Sequence, residues 1–365
     1  MTMKKNGHKQ YLFLLLLLSV SLAGCSRTNI IDQLSIIHVY GFDLDKDGNV
    51  VGTALYPIHS KSRGDASIQF VEEKAPIGPL IPARMDQHTI MPIKLSKIRV
   101  IVFGKKFAKT DTSQQVKRFI LTPQLGTNIQ IVVSEQSAKE ALKAIKKRGE
   151  LTLADQLKHN MIHQNMPEMN LHVFLNHFFG EGMDAYLPMI AVEKDRIKLD
   201  GVGIFKDAKF KLQLNEKQTF IFSILENKNT EGMYKIKTTE NGKPEIITVS
   251  GYKSKNRWEL VDNHPQHLKL TLNLKWVANS YPDWIDIANS GDLKKLETIV
   301  AKDIKKEVET LLRTLQKNEV DPLGIGNIVR ARDRNWKEKT FYETYPKLPI
   351  HVKVNVELLH TGLES

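Results

Sequence analysis

Two stretches in the last third of the chain leave little freedom about its fold. Leu268, Leu270, Leu272, Leu274 and Trp276 alternate with Lys269, Thr271, Asn273 and Lys275. Ile350, Val352, Val354, Val356 and Leu358 alternate with His351, Lys353, Asn355 and Glu357. This period of two describes half-buried β-strands with one wet face. Between them Leu293, Leu296, Val300, Ile304, Val308, Leu311 and Leu315 recur every three or four residues, the stripe of an amphipathic helix. From Asp292 to Asn318 that helix is about 40 Å long at 1.5 Å per residue, enough to lie along one face of a sheet holding both strands. One wet face per strand is the habit of antiparallel sheets, so antiparallel pairing is expected.

Such a domain must be held by burial, because the 365-residue chain contains a single cysteine, Cys25. Disulfides within the chain and thiolate zinc sites are both excluded. Cys25 ends a distinctive leader. Lys4, Lys5 and Lys9 form a positive flank, Tyr11 to Leu18 an apolar run that Val20 and Leu22 extend, and Ala23 and Gly24 a pair of small residues. This is the pattern of an export signal, too short for a spanning helix. Leu22-Ala23-Gly24-Cys25 also resembles the lipobox of bacterial lipoproteins. That resemblance implies lipid attachment at Cys25: the thiol is diacylated, with palmitate-type chains, and the leader 1–24 is cut away. The formal net charge is +12. For an exported chain an anionic membrane surface, or an acidic polymer near it, is a better match than nucleic acid, which is not an expected partner. The basic residues are mostly dispersed, with denser stretches at Lys143 to Arg148 and Arg330 to Lys339.

After a polar tether, Ser26 to Asn29, Leu34 to Leu44 and Val50 to Ile58 read as strands joined by the turn Asp45-Lys46-Asp47-Gly48-Asn49. His59 to Met91, with Pro76, Pro79 and Pro82, reads as an irregular functional loop or flap. Ile98 to Phe103 is a buried-strand pattern, Thr112 to Leu121 a helix and Ile129 to Val133 a strand. Ser137-Ala-Lys-Glu140 is a capping box opening a helix that stops at Gly149. Helices follow at Leu153 to His163 and Leu171 to Phe179, the latter with Leu171, Phe174, Leu175 and Phe178 at helical spacing. Residues 202–250 are short β-type runs with turn signals at Asn227, Asn241-Gly242 and Gly251. The expected class is α+β: three mixed α+β domains with antiparallel sheets, the last a sheet covered by the long helix. The expected division is 25–199, a small middle domain 200–260, and 261–365.

The candidate chemical sites fail one by one. Asp43, Asp45, Asp47 and Gly48 resemble the start of an EF-hand loop, but Ala54 stands where a bidentate Glu is required. His159 and His163 sit four apart, yet the residue after His159 is Asn160 and not the Glu of a zinc protease. His172 and His177 point to different faces of their helix. Gly324-Ile-Gly326 lacks the third glycine of a dinucleotide site and the Lys-Ser/Thr of a P-loop, so it reads as a turn between helices. Trp276, Trp284 and Trp336 are either core or pocket lining. No catalytic constellation, metal set or cofactor site emerges, and no enzyme activity is expected.

Gly41-Phe-Asp43, the run Leu95 to Gly104, Ser137 to Leu142, Leu199-Asp-Gly-Val-Gly-Ile-Phe-Lys206 and Asp321-Pro-Leu-Gly-Ile-Gly326 stand in a fixed order along the chain. Together they resemble the Ger(x)C family, the lipoprotein C subunits of germinant receptors. Trp336 and the last strand complete the series. Family members often carry Cys-Trp-Asp at the mature N-terminus, where this chain has Cys25-Ser26-Arg27. The resemblance implies three α+β domains, no enzyme activity and two integral-membrane partner subunits. It also implies a place on the extracytoplasmic face of the spore inner membrane, in a complex that binds small nutrients and triggers germination. A free-standing extracytoplasmic solute-binding lipoprotein is the alternative, with two parallel-sheet lobes.

Overall fold

The computed structural model describes residues 34–59, 66–163, 166–226, 231–239, 242–261 and 267–359. The leader, Cys25, the tether and the turn positions Asn227 and Asn241 lie outside them. In chain order the strands are β1 (Ser35–Ile36), β2 (Val39–Leu44), β3 (Val50–His59), β4 (Ala66–Ala75), β5 (Ile93–Lys94), β6 (Val100–Gly104), β7 (Gln130–Ser134), β8 (Tyr186–Glu193), β9 (Arg196–Lys206), β10 (Lys209–Leu214), β11 (Met233–Thr238), β12 (Glu245–Val261), β13 (His267–Ser280) and β14 (Ile350–Leu359). The α-helices are α1 (Ile81–Asp86), α2 (Lys105–Ala108), α3 (Ser113–Ile120), α4 (Ala138–Arg148), α5 (Leu153–Ile162), α6 (Leu171–Phe179), α7 (Glu216–Glu226), α8 (Ser290–Lys317), α9 (Ile325–Arg330) and α10 (Glu338–Thr344).

The large sheet has the order β10-β9-β8-β7-β6-β2-β3-β4. Its centre, β8-β7-β6-β2, is parallel, and antiparallel strands flank it on both sides. Val100 to Gly104 and Ile131 to Ser134 are buried without a break, as strands covered on both faces must be. Helix α4 lies across this sheet and touches strands from β2 to β9. Its capping box is formed on both sides, and Gly149 closes it at φ 74°, a left-handed conformation that a side chain disfavours. The expected loop at 59–91 contains β4 and α1 instead. Strand β4 pairs along its whole length with β3, and the adjacent Glu72 and Glu73 together with the following prolines disguised its alternation.

The second sheet has the order β11-β12-β13-β14. Leu268, Leu270, Leu272, Leu274 and Trp276 are buried, and Leu296, Val300, Ile304, Val308, Leu311 and Leu315 of α8 meet that face. The mixed α+β class with several sheets holds, but β13 and β14 pair in parallel. The reason is the helix itself. A single long helix returns the chain to the end where β13 began, so β14 can only run in the same direction. Alternation reports which face is wet and carries no information on direction. The stretch 200–260 is shared: its first part completes β9 and forms β10 of the large sheet, its second forms β11 and β12 of the smaller one. Ser35–Ser365 is one compact unit in which every described strand finds its partners.

Candidate functional site

Asp43 is the first of two buried carboxylates around which the chain's glycine-containing motifs gather. It leaves β2 beside the start of α4, where the first N–H groups of a helix lack intrahelical acceptors. Its Oδ1 accepts the Ala138 N–H at 2.9 Å and its Oδ2 the Lys139 N–H at 2.8 Å. Ser137 and Glu140 satisfy the neighbouring donors. A Cβ on Gly41 would stand 2.8 Å from the Ala138 Cβ, and one on Gly104 would collide with the Asp43 carboxylate. The helix end therefore seats directly on β2 and β6, and only glycine fits beneath it. Burial pushes the Asp43 carboxyl up, against the two backbone donors.

The second knot joins the large sheet to the segment after α8. Asp321 is fully buried and accepts N–H bonds from Ile325 at 3.0 Å and Gly326 at 2.7 Å. Its own N–H donates to Asp184 Oδ2 at 2.6 Å, and the Tyr342 hydroxyl donates to the same oxygen at 2.9 Å. Lys206 Nζ lies 3.2 Å from Asp184 Oδ1 and over the Tyr342 ring. Gly324 adopts φ 66°, and a Cβ on Gly326 would stand 2.9 Å from the backbone of Gly182. The Gly324-Ile-Gly326 pair is thus a turn and a close backbone approach. Burial pushes Asp321 up to about 7 and raises Asp184 as well, with Lys206 opposing. Lys206 closes the run Leu199 to Lys206, but its partners Asp184 and Tyr342 carry no mark in the sequence, where a buried carboxylate looks like an exposed one.

The remaining candidates disperse. Asp45 accepts the N–H groups of Asp47 and Asn49 and caps its own turn, while Asp43 faces α4. The His159 and His163 rings lie 4.4 Å apart, tilted by 59°, and His163 faces Glu231. Among the described residues no group of three His, Cys, Asp or Glu could hold a metal. His172 contacts Asn176, and burial beside Tyr186 pushes His177 down to about 4. Trp276 is core, Trp284 donates to Glu245 beneath Lys295, and Trp336 packs on Phe341. A cleft of mixed lining and about 930 Å³ opens between α7, β11 and α8; there Lys217 bridges Glu307 and Asp303, and the Tyr234 hydroxyl donates to Asp303 at 2.7 Å. A smaller apolar pocket of about 210 Å³ is lined by Tyr40, Phe42, Ile98, Ile101 and Phe119.

One buried acid has a measurable consequence. Burial pushes Glu226 up to about 7, against the Tyr186 hydroxyl that donates to it at 3.3 Å. In the unfolded chain the same carboxyl titrates near 4.5. Between these values the folded state keeps a proton that the unfolded state has released, so stability falls as pH rises through the window. Asp321 acts with the same sign. The expected Tm is a few degrees higher near pH 5 than near pH 7.5, and Glu226→Gln flattens the profile. A Gln variant with the parent's slope would assign it elsewhere.

Residues 27–192 match the family model described as spore germination protein N-terminal domain, and residues 200–362 that of spore germination B3/GerAC like, C-terminal. Spore germination protein GerQC of Bacillus cereus is 26% identical over 355 residues, covering 96% of this chain and 98% of that protein. Spore germination protein KC of Bacillus subtilis is 28% identical over 103 residues, 27% of this chain and 25% of that protein. The crystal structure of the GerBC protein superposes with a TM-score of 0.58 at 17% identity, covering 91% of this chain and all of that one. The paired domains and their shared fold define a spore germination protein. Within that class, the chain belongs to the Ger(x)C family.

Proposed function

We propose that this chain is the lipid-anchored C subunit of a germinant receptor. Cys25 carries a diacylglycerol thioether, and the folded unit stands outside the cytoplasm on the spore inner membrane. There it assembles with two integral-membrane subunits in a complex that binds small nutrients and triggers germination. It acts through surfaces and not through catalysis. The observation that carries this reading is the family match across both halves of the chain. Two further facts support it. Among the described residues no helix is long and apolar enough to cross a membrane. The buried carboxylates Asp43 and Asp321 are engaged by the chain's own backbone donors.

A diacyl group supplies the two chains that stable anchoring requires, whereas one gives only marginal binding. Cys25→Ala is expected to leave a normally folded protein that takes up no labelled lipid and no longer co-purifies with two polytopic subunits from spore membranes in mild detergent. Germination through this receptor should fall with it. Mass spectrometry of the membrane-extracted parent decides the chemistry. An unmodified Cys25, or recovery of the parent alone, would overturn the proposal.

A further inference from the structure

The smaller sheet turns one face to α8 and leaves the other open. Cross-strand register sets Lys253 beside Lys275, Lys269 between Glu259 and His351, and Thr271 between Arg257 and Lys353 on that open face. Lys255 lies in the row between them, and on β11 Lys235 and Lys237 continue the same side. All six lysines 235, 237, 253, 255, 269 and 353 are exposed, and no ion pair among the described residues engages them. The acids on the face, Glu259 and Glu357, are already taken by Arg257 and Lys275.

Two ordinary explanations fall short. Lysine on an edge strand blunts unwanted pairing, which accounts for β11 and β14. It does not account for Lys253, Lys255 and Lys269, which sit on the inner strands β12 and β13. Nor does stability favour the arrangement, since like charges directly opposite one another, as at Lys253 and Lys275, are destabilising. What the face lacks is an external anion. At its β11 end Met233 is 66% exposed, Ile246 47% and Tyr252 65%, apolar and amphipathic groups of the kind that settle among lipid headgroups. A broad, flat array of lysine point charges with an apolar margin matches a surface of mobile phosphates better than one shaped binding partner.

We propose that the open face of the β11-β12-β13-β14 sheet is a docking surface for an anionic phospholipid bilayer. Each lysine near such a surface multiplies the partition roughly fivefold, so the six together hold the sheet down without any spanning segment. The contact orients the folded unit on the membrane, a task that an acyl anchor on a tether cannot perform.

The test uses the compact unit 35–365, which lacks Cys25, so its outcome is independent of acylation. Co-sedimentation with vesicles of phosphatidylglycerol in phosphatidylcholine is expected to show binding that grows with the anionic fraction and weakens with salt. Lys253→Glu/Lys255→Glu/Lys269→Glu/Lys353→Glu should lower the partition at least tenfold while melting within a few degrees of the parent. The corresponding Gln variant should be intermediate and guards against misfolding. Lys143→Glu/Lys146→Glu/Lys147→Glu, on the exposed side of α4, should change binding less than twofold. Equal binding to vesicles without anionic lipid, a sheet-face variant that binds like the parent, or no binding by the parent would each overturn the proposal.

Discussion

Ile304→Asp is expected to destroy the cooperative fold of the β11-β12-β13-β14 sheet and its helix. Ile304 is completely buried, mid-way along α8, with Val300 and Val308 one turn away on either side. An unpaired carboxylate there loses its hydration and gains no partner, which costs several kcal/mol, comparable with the whole stability of a domain. Ile304→Ala separates charge from volume. It leaves a cavity and should cost about 2–5 kcal/mol, lowering Tm without abolishing the transition. Thermal unfolding followed by circular dichroism reads both. An Ile304→Asp variant that melts like the parent would mean that α8 presents a different face to the sheet.

Asp321→Ala should be the most damaging single change in the knot that joins the segment after α8 to the large sheet. It removes the acceptor of two buried N–H groups, those of Ile325 and Gly326, in a place where no water-exposed surface is available to them. Each orphaned donor costs roughly 1–3 kcal/mol, so a loss of about 2–6 kcal/mol is expected for the two. Asp321→Asn keeps one acceptor but aims an NH₂ at the other donor, and should fall between Ala and the parent. The local readout is amide exchange. Ile325 and Gly326 should lose protection in the Ala variant more than the strand amides of β6 and β7 do. Unchanged exchange at both amides would show that the carboxylate does not hold this turn.

Much of the fold was legible because periodicity reports burial one residue at a time. The alternation at 268–276 and 350–358, the stripe of α8, the Ser137–Glu140 box with its stop at Gly149, and α5 and α6 all appear where the pattern places them. Strand β4 did not, because an edge strand needs few apolar positions and Glu72 and Glu73 broke the rhythm. The candidate site divides along the same line. Gly41-Phe-Asp43, Ser137 to Glu140 and Asp321 to Gly326 stood out as motifs, but their meaning is relational. Asp43 finds its donors 95 and 96 residues away, and Asp321 meets Asp184 across 137 residues. So the chain's own sequence determined most of the helices and strands, which face of each is wet, that no disulfide could brace them, and that its one cysteine, Cys25, follows an apolar run and two small residues. Only the tertiary structure decided that β13 and β14 run parallel, that the central strands of the large sheet do too, and that six lysines from four strands share one open plane. The physical reason is that local periodicity encodes the surroundings of a residue, whereas strand direction and the pairing of distant carboxylates and lysines exist only once long loops have closed and the register is set.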